Sequence, residues 1–328
     1  MLPSVATEAV PTGIYFPLQP QRVDQVIPVA ELLHRNGGRL WLGQSMNLES
    51  RQLFAYLAGA GLDVPVGTAV SLMSMRHPAE AAVAARSVAA LTGLPYVEGI
   101  GPGAVPFQAA TLSEPYRRPA ATAQEYLRRM RDVLDRTVTP PGDTYRFGLQ
   151  LPEQPAPPVE LGLGVLRAGM ARTAGAVADV AITWLTPREY VRDTLVPAVA
   201  EGAERAGRTP PRISTVVHVA VARPGRDIRR TARAGAGAHL SAEHYTDMLR
   251  RAGLDVHADD PAAGADALVD AGVFVTGSPH EIAVQLQEHH RCGIDEVILN
   301  PAGVQLTERG RGGGHRSAGD SRGGGAVA

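Results

Sequence analysis

The sequence has a single cysteine, Cys292, in 328 residues. One cysteine excludes an internal disulfide and leaves no thiol cluster that could bind zinc or an iron–sulfur centre. Because Cys292 falls at the end of a predicted helix, we interpret it as a structural residue rather than a nucleophile.

A surplus of charge of either sign is also missing. Lys and Arg number 32 and Asp and Glu number 33, which gives a formal charge of −1. Electrostatic binding of nucleic acid needs a basic face, so this balance argues against a nucleic-acid partner. No apolar run approaches the ~20 residues of a membrane-spanning helix, and MLPSVATEAVPTG lacks the charged start and apolar core of a signal peptide. These absences predict a cytoplasmic protein without a membrane partner.

Several catalytic motifs are absent as well. The sequence has no G-x-S-x-G elbow, no P-loop and no paired carboxylates at catalytic spacing. HEIAV at 280–284 begins like a zinc-protease helix, but Val284 stands where the second histidine would be. His239 and His244 have the wrong spacing to share one helix face. We therefore predict no metal site.

Short apolar strands alternate with helical patterns along most of the chain. Continuous apolar strands that alternate with helices are typical of parallel sheets buried on both faces. Eight strands favour an α/β fold of the (β/α)8 TIM barrel type, with an open doubly wound sheet as the alternative. The predicted strands are 13–18, 39–43, 64–71, 95–101, 159–163, 179–185, 213–222 and 295–300.

Two long connections interrupt this alternation, over residues 102–158 after the fourth strand and 223–278 after the seventh. Insertions at the carboxyl ends of barrel strands usually shape an active site. We predict one barrel domain over residues 1–308. The Gly- and Arg-rich segment 309–328 has almost no apolar content and is predicted to be a disordered tail.

Two glycine clusters end predicted strands. The first nearly matches the dinucleotide pattern G-x-G-x-x-G, but Arg167 stands at the third glycine position and excludes a Rossmann site. The turn that follows either binds a phosphate at a helix N-terminus or permits close strand–helix packing. The second cluster either lets a flat ring lie on bare backbone or forms a tight turn. The two sets are Gly164, Val165, Leu166, Arg167 and Ala168, and Gly99, Gly101 and Gly103.

The order of LWLGQ, VGTAV…RHPAEAAVAARSVAALTG, YVEGIGPG, YRRPAATAQEYL, LGLGVLRAGMARTAGAVAD and TPREYVRDTLVPAVAEGAERAGR resembles the bacterial luciferase-like monooxygenase family. The likeness covers residues 12–303 and is greatest to the short branch of coenzyme F420-dependent oxidoreductases. It implies a barrel that holds a deazaflavin or flavin in its mouth. It also implies a non-proline cis peptide bond in a bulge of the third strand, at Ala69 and Val70, with Ser71 next to it. The phosphate turn of the family matches Gly164–Ala168.

The resemblance also bears on the reaction. Sugar-phosphate dehydrogenases of this family carry a proton-accepting histidine after the second strand, where this sequence has Gln44. Because an amide does no acid–base catalysis at neutral pH, we expect hydride transfer from reduced F420 to an activated C=C or C=N bond. The substrate is small or peptide-borne, and dehydroalanine is one example. Water, Tyr15 or Tyr56 would supply the proton, no catalytic side chain is assigned, and the predicted substrate pocket contains Tyr15, Gln44 and Ser45.

Two other functions stay open. An FMN-dependent monooxygenase would use the same scaffold, and a cofactor-less barrel would act as a binding or scaffold subunit. Bulky side chains between Ala69, Gly101 and Gly164 would favour the scaffold. Family analogy also suggests a homodimer.

Of four ring-bearing residues, three have two interpretations each. His218, in the middle of a strand, is a hydrogen-bonded core residue or a catalytic one, and His77 is expected to contribute to the start of a helix. Trp41 and Trp184 end strands, where they pack in the core or stack on a ligand ring.

Overall fold

The computed structural model describes residues 12–138, 140 and 142–312, and these form a closed barrel of eight parallel strands. Neighbouring strands pair in chain order, and the last strand pairs with both the first and the seventh, which closes the ring. The predicted (β/α)8 fold is therefore confirmed. The barrel strands are β1 Thr12–Tyr15, β2 Arg39–Leu42, β3 Val66–Thr68, β5 Tyr96–Gly101, β6 Val159–Gly164, β7 Val180–Trp184, β8 Arg212–Val221 and β10 Glu296–Asn300.

Two short strands extend this ring. After β3 the chain makes a bulge and resumes as β4 (Ser71–Leu72), which pairs with β5. β9 (Val275–Gly277) pairs with the end of β8.

The helices surround the barrel. They are α1 Ile27–Asn36, α2 Ser50–Gly59, α3 Pro78–Thr92, α4 Val105–Thr111, α5 Pro119–Leu134, α6 Ala168–Val177, α7 Arg188–Tyr190, α8 Val196–Arg205, α9 Ile228–Leu240, α10 Glu243–Arg251, α11 Pro261–Asp270, α12 Pro279–Arg291 and α13 Ala302–Gly312.

Capping residues explain two of these boundaries. His77 Nδ1 accepts the N–H of Ala79 at the start of α3, which confirms its predicted contribution there. At α12, Ser278 and Glu281 form a reciprocal capping box, which satisfies two donors of the first turn. The free thiol of Cys292 is buried at the C-terminal end of this helix.

The side chain of Trp41 packs inside the barrel. Its indole lies where a Cβ on Gly13 or Gly67 would approach within 2.5 or 2.7 Å, and its Nε1 donates to Glu296 Oε1 at 2.9 Å. Trp41 is fully buried. Of its two interpretations, core packing is confirmed.

The longest connections join β5 to β6, through α4 and α5, and β8 to β10, through α9–α12 and β9. In the second connection, Leu240, Met248, Leu268 and Phe274 belong to an apolar cluster of their own. This cluster fixes α9 and α10 against each other at the barrel's carboxyl end.

At the C-terminal end, the backbone of α13 runs through Gly312, so the first residues of the predicted tail are helical. Residues 313–328 of that tail lie outside the described residues. Within the described part of the chain, no helix is long and apolar enough to cross a membrane.

Candidate active site

A cavity of about 590 Å³ opens at the carboxyl ends of the strands, where barrel enzymes place their chemistry. Ten of the predicted site residues line it: Tyr15, Gln44, Ala69, Val70, Gly101, Gly103, Gly164, Val165, Leu166 and Arg167. They come from the ends of different strands and are far apart in the sequence. Closure of the barrel therefore brings them together.

The bulge between β3 and β4 forms the floor of this main cavity. The peptide bond between Ala69 and Val70 is cis, as the resemblance implies. The N–H of Ala69 donates to the Leu42 carbonyl at 2.8 Å, and the N–H of Gln44 donates to the Val70 carbonyl at 3.0 Å. The side-chain oxygen of Gln44 accepts the N–H of Leu72 at 3.2 Å. Gln44 thus fixes the bulge from both sides.

Gly101 and Gly164 in the floor leave room for the Val70 side chain. A Cβ on Gly101 would lie 2.7 Å from Val70 Cγ2, and one on Gly164 would lie 3.4 Å from Val70 Cγ1. We expected a ring on bare backbone, but Val70 occupies the space that these two glycines leave. A bound ring would therefore meet the Val70 side chain. Gly103 lines the cavity at φ +77°, a conformation that favours glycine.

Gly99, which we expected at the cofactor, does not line the cavity. A Cβ there would lie 1.9 Å from the carbonyl oxygen of Thr68, and the N–H of Gly99 donates to Thr68 Oγ1 at 2.9 Å. Gly99 thus permits the close approach of β5 to β3. The structure gives no support to the predicted cofactor contact at this residue.

Ser71 also lies outside the cavity lining. Its hydroxyl accepts from Arg51 Nη2 at 3.4 Å, and Arg51 pairs with the buried carboxylate of Glu98. Glu98 in turn accepts the hydroxyl of Tyr96 at 2.7 Å. Because successive strand residues point to opposite faces, Val70 faces the cavity and Ser71 faces this buried ion pair.

The turn after β6 retains features of an anion site. Arg167 is the N-cap of α6 in extended conformation, and its side chain makes no capping hydrogen bond to the first-turn N–H groups. Ala168 begins the helix and is absent from the cavity lining. The guanidinium of Arg167 pairs with Asp247 of α10, with Nε 2.7 Å from Oδ2. The positive charge of Arg167 is therefore shared with a carboxylate.

A wall of rings closes one side of the cavity, and the sequence did not predict it as a unit. Trp184 ends β7 and stacks on His239 with ring centroids 4.9 Å apart. Tyr245 meets His239 edge-on at 5.1 Å, and Tyr15 meets Trp184 edge-on at 4.7 Å. Trp184 thus lines the cavity and packs against other rings of the protein.

His239 and His244 both line the main cavity although their spacing does not suit one helix face. The reason is that α9 ends at Leu240 and α10 begins at Glu243, so the two residues belong to different helices. Among the described residues, no group of three or more His, Cys, Asp or Glu could hold a metal ion.

Burial keeps the titratable rings of this region neutral. It lowers the pKa of His239 to about 4, with a smaller effect from His244, and it lowers the pKa of His218 to about 3. Burial also raises the pKa of Tyr15 and of Tyr245. All four rings are therefore uncharged at neutral pH.

His218 is a buried core residue rather than part of the lining. Asn300 Oδ1 accepts the N–H of Ala302 at 3.0 Å, which leaves Asn300 Nδ2 to face His218 Nε2 at 3.4 Å. This arrangement places the imidazole proton on Nδ1. The hydrogen-bonded core interpretation of His218 is supported.

Tyr56 does not reach the cavity. It lies on α2 with 53% of its surface exposed and lines a separate surface depression. Of the two tyrosines that we considered as proton donors, Tyr15 alone stands at the site.

A smaller side cavity of about 250 Å³ adjoins the main one. The three residues of the predicted substrate pocket, Tyr15, Gln44 and Ser45, all line it. Ser45 lines the side cavity only, whereas Tyr15 and Gln44 line both.

Comparison with known proteins agrees with this geometry. An F420-dependent glucose-6-phosphate dehydrogenase of Intrasporangium calvum is 28% identical over 264 residues, which are 76% of this chain and 78% of that protein. The structure of an F420-dependent secondary alcohol dehydrogenase with an F420–acetone adduct superposes with a TM-score of 0.70 at 16% identity, over 92% of this chain and 98% of that one.

A flavin enzyme has the same fold. The oxygenating constituent of 3,6-diketocamphane monooxygenase from Pseudomonas putida, in complex with FMN, gives a TM-score of 0.64 at 18% identity over 89% of this chain and 92% of that one. Residues 11–296 match the family described as luciferase-like monooxygenase. With this match over most of its length, the chain belongs to the luciferase-like monooxygenase family and is an enzyme of the oxidoreductase class.

Proposed function

We propose that this enzyme is a coenzyme F420-dependent reductase that saturates an activated C=C or C=N bond. Its substrate would be a natural product or a peptide, for example one that carries dehydroalanine. The observation that carries this proposal is the place of Gln44, which binds the bulge with its amide and supplies no base to the cavity.

The residues at the main cavity fit a deazaflavin. Ala69, Val70 and Gly101 would hold its ring, and Val165–Arg167 with the first turn of α6 would hold its phosphate. When bound in reduced form, the cofactor supplies a hydride that reduces the double bond, and a proton from water or a tyrosine completes the product.

The charges of the lining argue for the direction of the reaction. Alcohol oxidation needs a base that accepts the hydroxyl proton, and His239, with a pKa of about 4, is a weak one. Among the described residues of the main cavity, Arg167 is the only one with a permanent charge, and Asp247 already pairs with it. This lining disfavours a sugar phosphate and suits an uncharged substrate.

An FMN-dependent monooxygenase is the second candidate. Its support is the fold shared with an FMN-bound monooxygenase, together with a floor that could carry either ring. A cofactor-less scaffold has less support: the Val70 side chain fills the gap between Gly101 and Gly164, but a cavity of about 590 Å³ lined by these residues stays open. We further propose a cytoplasmic enzyme that acts on a small molecule or peptide, as a monomer or a homodimer.

Titration of the purified protein with F420 and, separately, with FMN tests this proposal through fluorescence quenching. We expect saturable binding of F420 and much weaker binding of FMN. Binding of FMN alone would move the assignment to a monooxygenase, and binding of neither would favour the scaffold.

A further inference from the structure

The reaction that we propose needs room for two molecules, and the main cavity has room for one. Ligand pockets of about 300–1,000 Å³ enclose a single ligand of drug size. The main cavity has a volume of about 590 Å³, and its lining includes Ala69, Val70, Gly101 and Val165–Arg167, which we assign to the ring and phosphate of the cofactor. A deazaflavin in this cavity therefore leaves little of it for the second reactant.

The side cavity is the neighbouring space. Five residues line both cavities: Tyr15, Gly43, Gln44, Trp184 and His239. This shared wall is joined to the floor, because the N–H of Gln44 donates to the Val70 carbonyl at 3.0 Å. Hydride transfer requires that the two reacting atoms come within about 3–3.5 Å of each other. A reactant in the side cavity would approach the cofactor ring at this wall.

The two cavities reach the surface at different places. Ala234 and Ala238 of α9 line the side cavity and are exposed, and Leu306 of α13 lines it with 43% of its surface exposed. None of these three residues lines the main cavity. The main cavity has Val105 in its lining, which is 64% exposed and absent from the side cavity. A molecule can therefore enter the side cavity while a cofactor occupies the main one.

The lining of the side cavity is uncharged. Among the described residues that line it there is no Asp, Glu, Lys or Arg, and burial keeps His239 neutral by lowering its pKa to about 4. Neutral polar side chains are present, including Gln19, Gln44 and Ser45. A charged group that loses its water here would find no counter-charge, whereas an amide or hydroxyl can exchange its hydrogen bonds with these side chains. The cavity therefore favours uncharged ligands.

We propose that the side cavity is the substrate subsite and takes a compact, uncharged group, while the cofactor stays in the main cavity. This inference rests on the proposed function and names the place and the charge class of its substrate. The volume of about 250 Å³ limits the group to a compact one. A residue within a peptide chain, flanked by neutral amides, fits this description. A free amino acid, with two charges, does not.

Cysteine labelling tests the charge preference of the side cavity without a known substrate. Ser45→Cys places a thiol at a residue that lines only this cavity and is 8% exposed, and Ala238→Cys places one at its exposed edge. Both variants carry Cys292→Ala, which removes the single native thiol. The reagents are neutral methyl methanethiosulfonate and its anionic 2-sulfonatoethyl and cationic 2-(trimethylammonio)ethyl analogues. With rates normalised to Ala238→Cys, we expect the neutral reagent to label Ser45→Cys about tenfold faster than either charged one, because a charge loses its water in the cavity.

Oxidised F420 separates the roles of the two cavities. Leu166→Cys, in the same background, is the matched probe of the main cavity, because Leu166 lines that cavity only. At saturating F420 we expect labelling of Leu166→Cys to slow about tenfold, since a ligand of this size covers most of its pocket. Labelling of Ser45→Cys by the neutral reagent should keep its rate.

Two small molecules test the substrate class in the same assay. N-acetylalaninamide is neutral, N-acetylalanine carries a carboxylate on the same skeleton, and neither reacts with thiols. The amide should slow the labelling of Ser45→Cys in a saturable way, and the acid should not. Ala238→Phe should also slow this labelling, because it narrows the exposed edge of the cavity. Ala262→Phe, at an exposed residue of α11 that lines neither cavity, is the control.

Several outcomes would overturn the assignment. They are no labelling of Ser45→Cys by the neutral reagent, equal normalised rates for charged and neutral reagents, protection of Ser45→Cys by F420, or an amide that protects no better than the acid. Failure of F420 to protect Leu166→Cys would instead refute the cofactor assignment of the main cavity, whereas the reagent series and the amide would still judge the side cavity. An unchanged thermal unfolding midpoint in each variant separates these results from misfolding.

Discussion

Gln44 and Leu72 are joined across the bulge of the third strand, because the Gln44 side-chain oxygen accepts the Leu72 N–H at 3.2 Å. Gln44 also donates its own N–H to the Val70 carbonyl at 3.0 Å. Gln44 thus has a positioning role. It holds the floor on which a cofactor ring would rest.

Replacement of Gln44 by Met should therefore weaken both stability and cofactor binding. Met has a similar length but leaves the part-buried Leu72 N–H without an acceptor, which costs about 1 kcal/mol or more. Chemical denaturation and F420 titration would measure the two effects. Gln25→Met is the matched control, since Gln25 accepts the exposed N–H of Gln21 at 2.9 Å and lines neither cavity. Equal losses in both variants would contradict a special role for Gln44.

Gly101 and Val70 allow a test by compensation. Gly101→Ala places a methyl group 2.7 Å from Val70 Cγ2, and overpacking of this kind costs about 1–3 kcal/mol. Val70→Ala removes the methyl that would clash. The double variant should therefore regain most of the stability that Gly101→Ala loses, measured as a double-mutant cycle of unfolding free energies. Additive losses would show that the two side chains do not share this space.

Much of the fold follows from the sequence because the barrel strands are short apolar runs. Tyr96–Gly101 is buried at every position, and such a run is readable without knowledge of its neighbours. The glycines that end β5 and β6 likewise mark the floor of the site. The sequence alone does not predict that these glycines make room for Val70, because Val70 lies in the bulge after β3, far from them along the chain.

The wall of rings is a clearer example of a feature that the sequence alone does not predict. Trp184 and His239 are separated by 55 residues along the chain, and only closure of the barrel with the packing of α9 stacks them. The spacing of His239 and His244 predicts that the two residues face different directions only if they lie on one continuous helix. Because α9 ends at Leu240, they lie on different helices. Ser71 differs, because it shares β4 with Leu72, which lines the cavity, and period-two alternation turns Ser71 to the other face.

Protonation of buried histidines should make stability depend on pH. Burial lowers the pKa of His218 from 6.5 to about 3 in the folded chain, so only the unfolded chain takes up this proton between those values. The contribution of neutral His218 to the free energy of unfolding is therefore complete above pH 6.5. It is lost as the pH falls toward 3, at about 1.4 kcal/mol per pH unit. His218→Gln should flatten the pH dependence of the unfolding free energy in this window. The exposed control His257→Gln should leave it unchanged, and equal slopes for both variants would contradict the assignment.

Arg167 and Asp247 control the charge at the α6 N-terminus. Their side chains are partly exposed, so the pair contributes modestly to stability, but Asp247 reduces the field that an anionic cofactor would meet. Asp247→Asn should strengthen F420 binding about threefold at low salt, and Arg167→Met should weaken it by a similar factor, in keeping with the small energies of partly exposed pairs.

Salt separates this electrostatic effect from a change of shape. Because exposed charges are screened, the differences between both variants and the wild type should shrink as ionic strength rises. Asp193→Asn, which breaks the exposed pair with Arg192, serves as a control for the loss of one negative charge elsewhere. If Asp247→Asn and Asp193→Asn change the F420 affinity equally, net charge rather than the local pair governs binding. A loss of affinity in Asp247→Asn would instead mean that Asp247 is needed to position Arg167.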